Sequence, residues 1–295
     1  MSAEASVVAQ AKVNLRLRVL ARESSGFHSI ETIFLRLDLG DDVRVRVRRG
    51  ERSIDCTGPS VPAEGLGAAE QNLAYRAAVA YAEATGWPSG FAIEITKQIP
   101  VGGGMGGGSA DAGAVLRVLD SLSPNPLGRQ LVELAAALGS DVPFLTLDSP
   151  MALGWGRGER MMTLAVPPSR PVVLLLQPFG VSTAEAYAWV AGDRGGYAPQ
   201  SEVLDPALLA TWEGLVAVAT NEFEPVVSAR HGEIPRAVEA LRSRGASIAM
   251  MSGSGSTVFG MFDAAPDLGT LSQETGLRAL LTRSASRVVP VKRVE

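Results

Sequence analysis

Cys56 is the only cysteine in this chain of 295 residues, and His28 and His231 are its only histidines. A single thiol excludes an intramolecular disulfide, and it excludes zinc and iron–sulfur sites that are built from several cysteines. Two imidazoles are too few for a histidine-rich metal centre. These scarcities argue against a resident metal centre and indicate a protein of a reducing compartment.

Neither one sign of charge nor apolar sequence dominates any part of the chain. Lysine and arginine total 27 against 31 aspartates and glutamates, a formal charge of −4, which argues against general nucleic-acid binding. The most apolar segments, such as residues 172–176, are far shorter than the roughly 20 residues of a membrane-spanning helix. The first 14 residues do not have the pattern of a signal peptide. We therefore expect a cytoplasmic protein with neither a membrane nor a nucleic-acid partner.

The composition, 46% hydrophobic and 20% charged, is typical of a globular protein with one or two domains. Strands and helices are mixed along the chain without strict alternation, which favours an α+β fold. We place a domain boundary near the Pro167-Pro168 pair and divide the chain into residues 1–160 and 161–295. Apolar periodicity and turn residues predict strands at 11–20, 42–49, 91–97, 171–177 and 287–294, and helices at 71–85, 128–138, 182–190 and 235–244.

A glycine-rich segment at residues 99–119 leads directly into a regular amphipathic helix. Six of the seven residues from Gly102 to Gly108 are glycine. Glycine permits positive φ and leaves the backbone N–H groups unobstructed, and a helix N-terminus adds unpaired N–H groups and partial positive charge. These features predict a loop that binds a di- or triphosphate. Ser109, at the start of the helix, could cap it or ligate magnesium.

Other interpretations of this loop are weaker. A Walker A loop requires lysine where Gly108 stands. Gly102, Gly104 and Gly107 have the spacing of a dinucleotide fingerprint, but they do not open a βαβ unit. A flexible linker seldom runs straight into so regular a helix. The phosphate-binding interpretation is therefore preferred.

Two further segments are ambiguous when each is taken alone. Residues 251–260 (MSGSGSTVFG) form either a simple turn between two strands or a second wall of a phosphate site. Residues 139–144 (GSDVPF) place Asp141 before an apolar Val-Pro-Phe segment. This aspartate either begins an Asx turn or is a catalytic carboxylate held at a loop tip.

Together, and in this order, these segments resemble the motifs of the GHMP kinase superfamily. Lys12-x-Asn14-Leu15, the loop at residues 100–112 and residues 252–260 are similar to its three motifs. The resemblance covers nearly the whole chain. It implies an α+β fold of two domains, an N-terminal domain like the second domain of ribosomal protein S5 and a ferredoxin-like C-terminal domain, with the active site between them.

Shorter segments narrow the resemblance to the 4-diphosphocytidyl-2-C-methyl-D-erythritol kinase family. These segments are residues 11–15, 26–28, 37–39, 139–144 and 181–183. The resemblance implies ATP and Mg²⁺ as cofactors and a cytidine diphosphate-linked methylerythritol as the substrate, phosphorylated at its 2-hydroxyl in the non-mevalonate isoprenoid precursor pathway. Homoserine kinase and the mevalonate-pathway kinases are the nearest rivals, and Gly26-Phe27-His28 argues against them.

The resemblance also implies roles for individual residues. Lys12 and Asp141 match the catalytic pair, in which Asp141 takes the proton of the acceptor hydroxyl and Lys12 stabilises the alkoxide. The alternative for Lys12 is a surface salt bridge with Glu4 or Asp38. The ATP-binding residues that the resemblance implies are Asn72, Lys97, Pro100, Val101, Gly102, Gly103, Gly104, Met105, Gly106, Gly107, Gly108, Ser109 and Ala110.

On the substrate side the resemblance implies Asn14, Phe27, His28 and Tyr187. Tyr187 is the expected ring to stack on the cytosine, with Trp189 as the alternative. The family usually has tyrosine where this chain has Phe27, so any hydrogen bond from that hydroxyl is lost. His28 is expected to read the edge of the base and not to transfer a proton.

The remaining motifs carry less information. Residues 221–224 (NEFE) are a loose version of a family motif, and we expect them to be structural. Arg157, Arg160 and Arg170 are candidates for holding phosphate, and no pattern selects among them or identifies magnesium ligands. The sequence is compatible with a monomer and with a homodimer.

Overall fold

The computed structural model describes residues 3–22, 28–194 and 203–294. In these residues the strands are β1 (Glu4–Arg22), β2 (His28–Arg48), β3 (Arg52–Thr57), β4 (Gly90–Thr96), β5 (Met151–Gly156), β6 (Arg160–Thr163), β7 (Pro171–Leu176), β8 (Thr220–Asn221), β9 (Ile248–Met251), β10 (Val258–Met261), β11 (Arg278–Arg283) and β12 (Lys292–Val294). The expected mixed helix and sheet composition is confirmed.

The helices of the described residues lie mostly between these strands. They are α1 (Leu73–Thr85), α2 (Gly107–Leu122), α3 (Gln130–Leu138), α4 (Val142–Thr146), α5 (Thr183–Arg194), α6 (Trp212–Val218), α7 (Glu224–Ser228), α8 (Glu233–Arg242) and α9 (Leu268–Thr275). Short 3-10 helices occupy Ala69–Gln71 and Leu208–Ala210. Within the described ranges, no helix is both long and apolar enough to cross a membrane.

The first sheet is built on the long antiparallel pair β1 and β2. Its main strand order is β12-β1-β2-β4-β3, with β5 and β6 extending from β2 and β8 pairing with β1. The register of β1 against β2 shifts between Gln10 and Lys12 and again between Asn14 and Arg16. Such irregularities re-aim side chains, and here they flank two of the predicted site residues.

Both faces of β1 are buried, although its alternation of apolar and polar residues is typical of a strand with only one buried face. Lys12, Asn14 and Arg16 are each no more than 3% exposed. This face is covered by segments from distant parts of the sequence. The Lys12 amide donates to the Met105 carbonyl at 3.1 Å, so the glycine loop lies directly against the strand.

The second sheet has the strand order β11-β7-β10-β9, and all of its pairs are antiparallel. With α5, α6, β8 and α7 inserted after β7, the chain passes through β7, α8, β9, β10, α9 and β11, which is the β-α-β-β-α-β order of a ferredoxin-like unit. Helix α8 buries Ile234, Ala237, Val238 and Leu241 in the core of this unit. The ferredoxin-like expectation therefore agrees with the topology.

The two sheets exchange chain segments. Strands β8 and β12 come from the second half of the sequence but pair with β1 in the first sheet. The predicted boundary between residues 160 and 161 falls inside β6, and the division into two domains there stays a prediction. The predicted last strand at 287–294 is wrong in extent, because only Lys292–Val294 pairs with β1.

Candidate active site

The glycine loop ends at the N-terminus of α2. Gly102, Gly104 and Gly106 have φ of +76°, +75° and +69°, and Gly106 is the N-cap of the helix. At Gly104 a Cβ would lie 2.2 Å from the Ser252 carbonyl oxygen, so a side chain is excluded there. Ser109 lies within the first turn and is not the N-cap, so the capping interpretation of Ser109 is wrong.

The loop borders a cavity of about 390 Å³, which we call the loop cavity. It is also bordered by the start of α1 and the end of β4, where Asn72 and Lys97 lie. Of the residues predicted to bind ATP, all but Ala110 line this cavity. Ala110 is buried in the core behind the loop.

Asn72 has a structural role at the edge of the loop cavity. Its Oδ1 accepts a hydrogen bond from the Ala74 amide at 2.9 Å and so caps α1. Its Nδ2 is 3.6 Å from the Cys56 Sγ, close enough for a weak hydrogen bond to sulfur. Burial, together with the nearby Asp111 carboxylate, raises the pKa of the Cys56 thiol. The one cysteine is therefore poorly nucleophilic.

Lys97 lies in a buried ionic cluster at the base of the loop cavity. Its Nζ donates to Asp41 and, at 2.6 Å, to Asp111 Oδ2. Burial lowers the pKa of Lys97, but the two carboxylates outweigh burial, and the net shift is upward. The two aspartates therefore balance the positive charge of Lys97, and its ammonium group is not free to bind phosphate.

The two aspartates of this cluster were missed by the sequence analysis. Asp41 is fully buried, and its Oδ1 accepts hydrogen bonds from the amides of Gln98 and, at 2.8 Å, Ile99, directly before the loop. Asp111 lies within the motif at residues 100–112, but no local pattern indicates that it is buried. Burial raises the pKa of Asp111 to about 7, even though Lys97 opposes the shift.

A second cavity of about 320 Å³, the acceptor cavity, adjoins the first. It contains Lys12, Asn14 and Asp141 at one end and residues of α5 and of the segment after β9 at the other. Gly104, Gly106 and Ser109 line both cavities. A phosphoryl group leaving the loop cavity would therefore enter the acceptor cavity at these residues.

Lys12 and Asp141 meet at the junction. The Nζ of Lys12 lies 3.2 Å from Asp141 Oδ2, and it donates to Asn14 Oδ1 at 2.8 Å and to the Gly104 carbonyl at 3.1 Å. The alternative of a surface salt bridge between Lys12 and Glu4 is wrong, because Glu4 pairs with Arg46 at 2.6 Å and Lys12 is buried. The lysine ammonium is held in one position by three oxygen atoms.

Asp141 precedes α4 and is about one quarter exposed, with 28% of its side chain accessible. Among the described residues, its carboxylate makes no capping hydrogen bond to α4, so the Asx-turn interpretation is not realised. Asn14 is fixed in turn by a hydrogen bond of 2.7 Å from its Nδ2 to Thr32 Oγ1. The acceptor cavity thus has one accessible carboxylate beside one buried cation.

Tyr187 lines the acceptor cavity, whereas Trp189 does not. The Tyr187 ring packs edge-on against Phe223, with centroids 4.9 Å apart. Burial, with a further contribution from Asp141, raises its pKa to about 12, so the phenol is neutral. Trp189 instead carries the Arg230 guanidinium 4.6 Å from its ring centroid. Of the two candidate rings, only Tyr187 borders the cavity.

Phe27 and the side chain of His28 lie outside the described residues. The backbone of His28 begins β2 and pairs with Arg22. The nearest described residue of β2 in the acceptor cavity is Ile30.

The segment 251–260 is a wall of the site as well as a turn between strands. Ser254 and Gly253 line the acceptor cavity, and Ser254 Oγ lies 2.9 Å from Thr183 Oγ1 on α5. Of the arginines considered for phosphate, Arg170 pairs with Asp263 at 2.9 Å and Arg160 is close to Glu159. Thr183 also lines the acceptor cavity, and the sequence analysis did not predict it as a site residue, although it lies within the segment at residues 181–183.

Family models match both halves of the chain. The model described as the GHMP kinases N terminal domain matches residues 72–149, and that of the GHMP kinases C terminal matches residues 204–270. The first match includes the glycine loop and Asp141, and the second includes the segment after β9. The two matches confirm the expected GHMP kinase fold, with its N-terminal and C-terminal domains.

Individual proteins are similar over most of the chain. The 4-diphosphocytidyl-2-C-methyl-D-erythritol kinase of Geobacter sp. (strain M21) is 38% identical over 260 residues, 87% of this chain and 89% of that protein. That of Pelotomaculum thermopropionicum is 36% identical over 290 residues, 95% and 97% of the two chains. A crystal structure of 4-(cytidine 5'-diphospho)-2C-methyl-D-erythritol kinase is 31% identical, with a TM-score of 0.75 over 95% of this chain and 99% of that one. With this similarity along nearly its whole length, the chain belongs to the GHMP kinase family.

Proposed function

We propose that the chain is an ATP-dependent kinase that phosphorylates the 2-hydroxyl of 4-diphosphocytidyl-2-C-methyl-D-erythritol, a step of the non-mevalonate route to isoprenoid precursors. One observation carries the proposal: the loop cavity and the acceptor cavity meet beside the Lys12–Asp141 pair. Phosphoryl transfer depends on positioning and on neutralising charge, and this junction provides both. The similarity to the named kinases specifies the acceptor.

In this proposal the triphosphate of ATP lies on the glycine loop. Its phosphate oxygens face the backbone N–H groups at the start of α2 and the partial positive charge of that helix. Asn72, Lys97 and Pro100–Ala110 form or support this ATP site. Since Lys97 is already neutralised by Asp41 and Asp111, we assign it to shaping the site and not to charge stabilisation.

The transfer step uses Asp141 and Lys12. The acceptor hydroxyl oxygen forms a bond to the γ-phosphorus, the bond from that phosphorus to the β,γ-bridging oxygen breaks, and ADP leaves. The hydroxyl proton passes to the Asp141 carboxylate. The Lys12 ammonium, 3.2 Å from that carboxylate, stabilises the developing alkoxide.

Magnesium fits this arrangement as an ion carried mainly by phosphate oxygens. The described residues contain no group of three or more His, Cys, Asp or Glu side chains able to hold a metal ion, and Mg²⁺ at phosphates commonly uses only one or two protein ligands. The Ser109 hydroxyl, at the junction of both cavities, is the side chain we assign to it. When bound, the ion would neutralise part of the negative charge of the phosphates.

Recognition of the cytidine end is assigned to Asn14, Phe27, His28 and Tyr187. Tyr187 offers a ring at the acceptor cavity on which a base can stack, a contact worth about 1–3 kcal/mol. Phe27 and His28 keep the roles that the sequence predicts. The cytoplasmic location and the lack of membrane and nucleic-acid partners remain part of this proposal.

The test is an ADP-release assay with purified protein, ATP and Mg²⁺. We expect turnover with the cytidyl substrate, and none with homoserine, mevalonate or the methylerythritol alcohol without its cytidyl diphosphate. His28→Ala should raise KM for the cytidyl substrate and leave KM for ATP nearly unchanged. Equal turnover of the uncytidylated alcohol would contradict the assigned acceptor, and a raised KM for ATP alone would mean that the two cavities are assigned the wrong way round.

A further inference from the structure

Asn221 makes the contacts of a residue that holds a loop in one position. It lies on the two-residue strand β8, opposite Leu17 of β1, and is 6% exposed. Its Nδ2 donates to the Met251 carbonyl at 2.7 Å and to the Gly253 carbonyl at 2.8 Å. Its Oδ1 accepts from the Phe223 amide at 3.0 Å. One carboxamide therefore ties β8 to the segment that follows β9.

That segment, residues 252–255, lies against the Lys12 ammonium. A Cβ on Gly253 would be 3.4 Å from Lys12 Nζ and 3.6 Å from Asn14 Oδ1, and Gly253 has φ of +57°. Ser252 Oγ donates at 3.0 Å to the Gly104 carbonyl, the same oxygen that accepts from Lys12 at 3.1 Å. Residues 252–255 therefore help to position the Gly104 carbonyl oxygen, which is one of the three oxygen atoms around the Lys12 ammonium.

The residues beside Asn221 hold the end of β9, directly before this segment, and the strand β1. Glu224 Oε2 accepts from the Met251 amide at 2.6 Å, and Glu222 Oε2 accepts from the Val19 amide at 2.6 Å. Residues 221–224 therefore connect β1, which carries Lys12, with the segment after β9. Among them, Asn221 is the residue whose side chain bonds to Gly253 itself.

We propose that Asn221 is a positioning residue for phosphoryl transfer: its amide nitrogen fixes residues 252–255, and through the Gly104 carbonyl and the packing of Gly253 it fixes the Lys12 ammonium opposite Asp141. This inference rests on the proposed function of the Lys12–Asp141 pair. It goes beyond a structural role because it predicts which kinetic constant depends on Asn221.

Substitutions at Asn221 can separate its role as a donor from its role as an acceptor. The two contacts to carbonyl oxygens require a donor, which the carboxamide supplies and a carboxylate does not. Asn221→Asp keeps the shape and the acceptor for Phe223 but places negative charge against two carbonyls. Asn221→Ala removes all three bonds without adding repulsion. If donation matters, the near-isosteric aspartate should be more harmful than alanine.

The experiment measures kcat and both KM values of the full chain with ATP, Mg²⁺ and the cytidyl acceptor. We expect kcat to fall by roughly 10-fold or more for Asn221→Ala and further for Asn221→Asp, because small misplacements of a catalytic group are costly. The fold-change in KM for ATP should be smaller. Thr211→Ala, which removes the N-cap of α6 away from the site, is the matched control for lost stability and should keep kcat.

A double-mutant cycle keeps the inference testable if the aspartate variant does not fold. If Asn221 acts through Lys12, Asn221→Ala should have little further effect on kcat in a Lys12→Ala background. Additive losses, or an aspartate variant more active than the alanine variant, would overturn the positioning role. Absence of kinase activity in the wild-type protein would instead overturn the proposed function, so the two failures are distinguishable.

Discussion

The rings of Phe34 and Phe144 stack nearly parallel, with their centroids 4.9 Å apart and their planes at 12°. Phe34 pairs in register with Asn14, and the Lys12 Nζ lies 6.0 Å from its ring centroid. Phe144 belongs to α4, which begins directly after Asp141. This stack joins β2, which pairs with the strand that carries Lys12, to the helix that follows Asp141, so packing as well as charge fixes the separation of the pair.

The first prediction concerns this pair. Asp141→Asn keeps the shape and removes the base, and Lys12→Ala removes the cation beside the developing alkoxide. Each should lower kcat by roughly 100-fold or more while changing both KM values much less. Steady-state kinetics on the folded variants measures this, with the exposed Asp55→Asn as the control that should retain wild-type kcat. Near-normal kcat in either variant would remove that residue from the mechanism.

The second prediction concerns Gly108. Its φ is not in the left-handed region, and a Cβ there would meet no protein atom within 4 Å, although the residue lines the loop cavity. Gly108→Ala should therefore leave the melting temperature unchanged or raise it, because alanine favours a helix over glycine by up to about 1 kcal/mol. It should nevertheless raise KM for ATP, since the new methyl group occupies nucleotide space.

Gly192→Ala is the matched control for this experiment. Gly192 is also a helical glycine with open space around it, but it lies on α5 outside both cavities. The KM of the Gly192→Ala variant for ATP should equal that of the wild-type protein. The more disruptive Gly106→Val is less informative, because its Cβ would lie 3.0 Å from the Lys12 Cε and would disturb both sites. An unchanged KM for ATP in Gly108→Ala would argue that the loop does not bind phosphate.

Local pattern was sufficient to predict the parts of the site that lie within one segment. The glycine-rich segment predicted a loop that leads directly into α2, and the predicted helix end at residue 85 is confirmed, because Gly86 closes α1 with φ of +70°. The Lys97–Asp41 contact joins residues 56 positions apart, and no periodicity encodes it. The crossing of β8 and β12 into the first sheet is equally non-local.

The same reason explains the burial of Lys12. The alternation along β1 is typical of a strand with one buried face, and Val13 and Leu15 are indeed buried, but it does not indicate what covers the face of Lys12. That face is covered by two loops more than 90 and more than 230 positions away, at Gly104 and Gly253. A single strand pattern carries no information about what covers its second face. The resemblance to kinase motifs, and not periodicity, therefore identified Lys12 and Asp141.

The third prediction concerns the pH dependence of stability. The pKa of Asp111 is raised by burial from 3.8 to about 7, and its Oδ1 has no hydrogen-bond partner among the described residues. The folded state therefore holds this proton more tightly than the unfolded state. The stability that Asp111 contributes is present below its unfolded pKa and is lost as pH rises through about 7.

Urea unfolding of the protein without nucleotide or divalent cation measures this effect. Asp111→Asn removes the titration, so the free energy of unfolding of the variant relative to wild type should rise between about pH 5 and about pH 8. The exposed Asp55→Asn serves as the control, with a pH-independent difference. A constant difference for Asp111→Asn would show that this carboxyl group does not titrate with a raised pKa.

The last prediction separates Tyr187 from Trp189. The two residues lie on the same helix, and positions two apart on a helix point in different directions. Tyr187 borders the acceptor cavity beside Phe223, whereas Trp189 packs under Arg230.

Tyr187→Ala should raise KM for the cytidyl acceptor by roughly 5- to 150-fold, the equivalent of about 1–3 kcal/mol of stacking, without a matching change in KM for ATP. Tyr187→Phe should retain most of the affinity because it keeps the ring, and Trp189→Ala is the control that should leave KM for the acceptor near the wild-type value. If Trp189→Ala weakens the acceptor more than Tyr187→Ala does, the base stacks on Trp189, and α5 must turn on binding to present it.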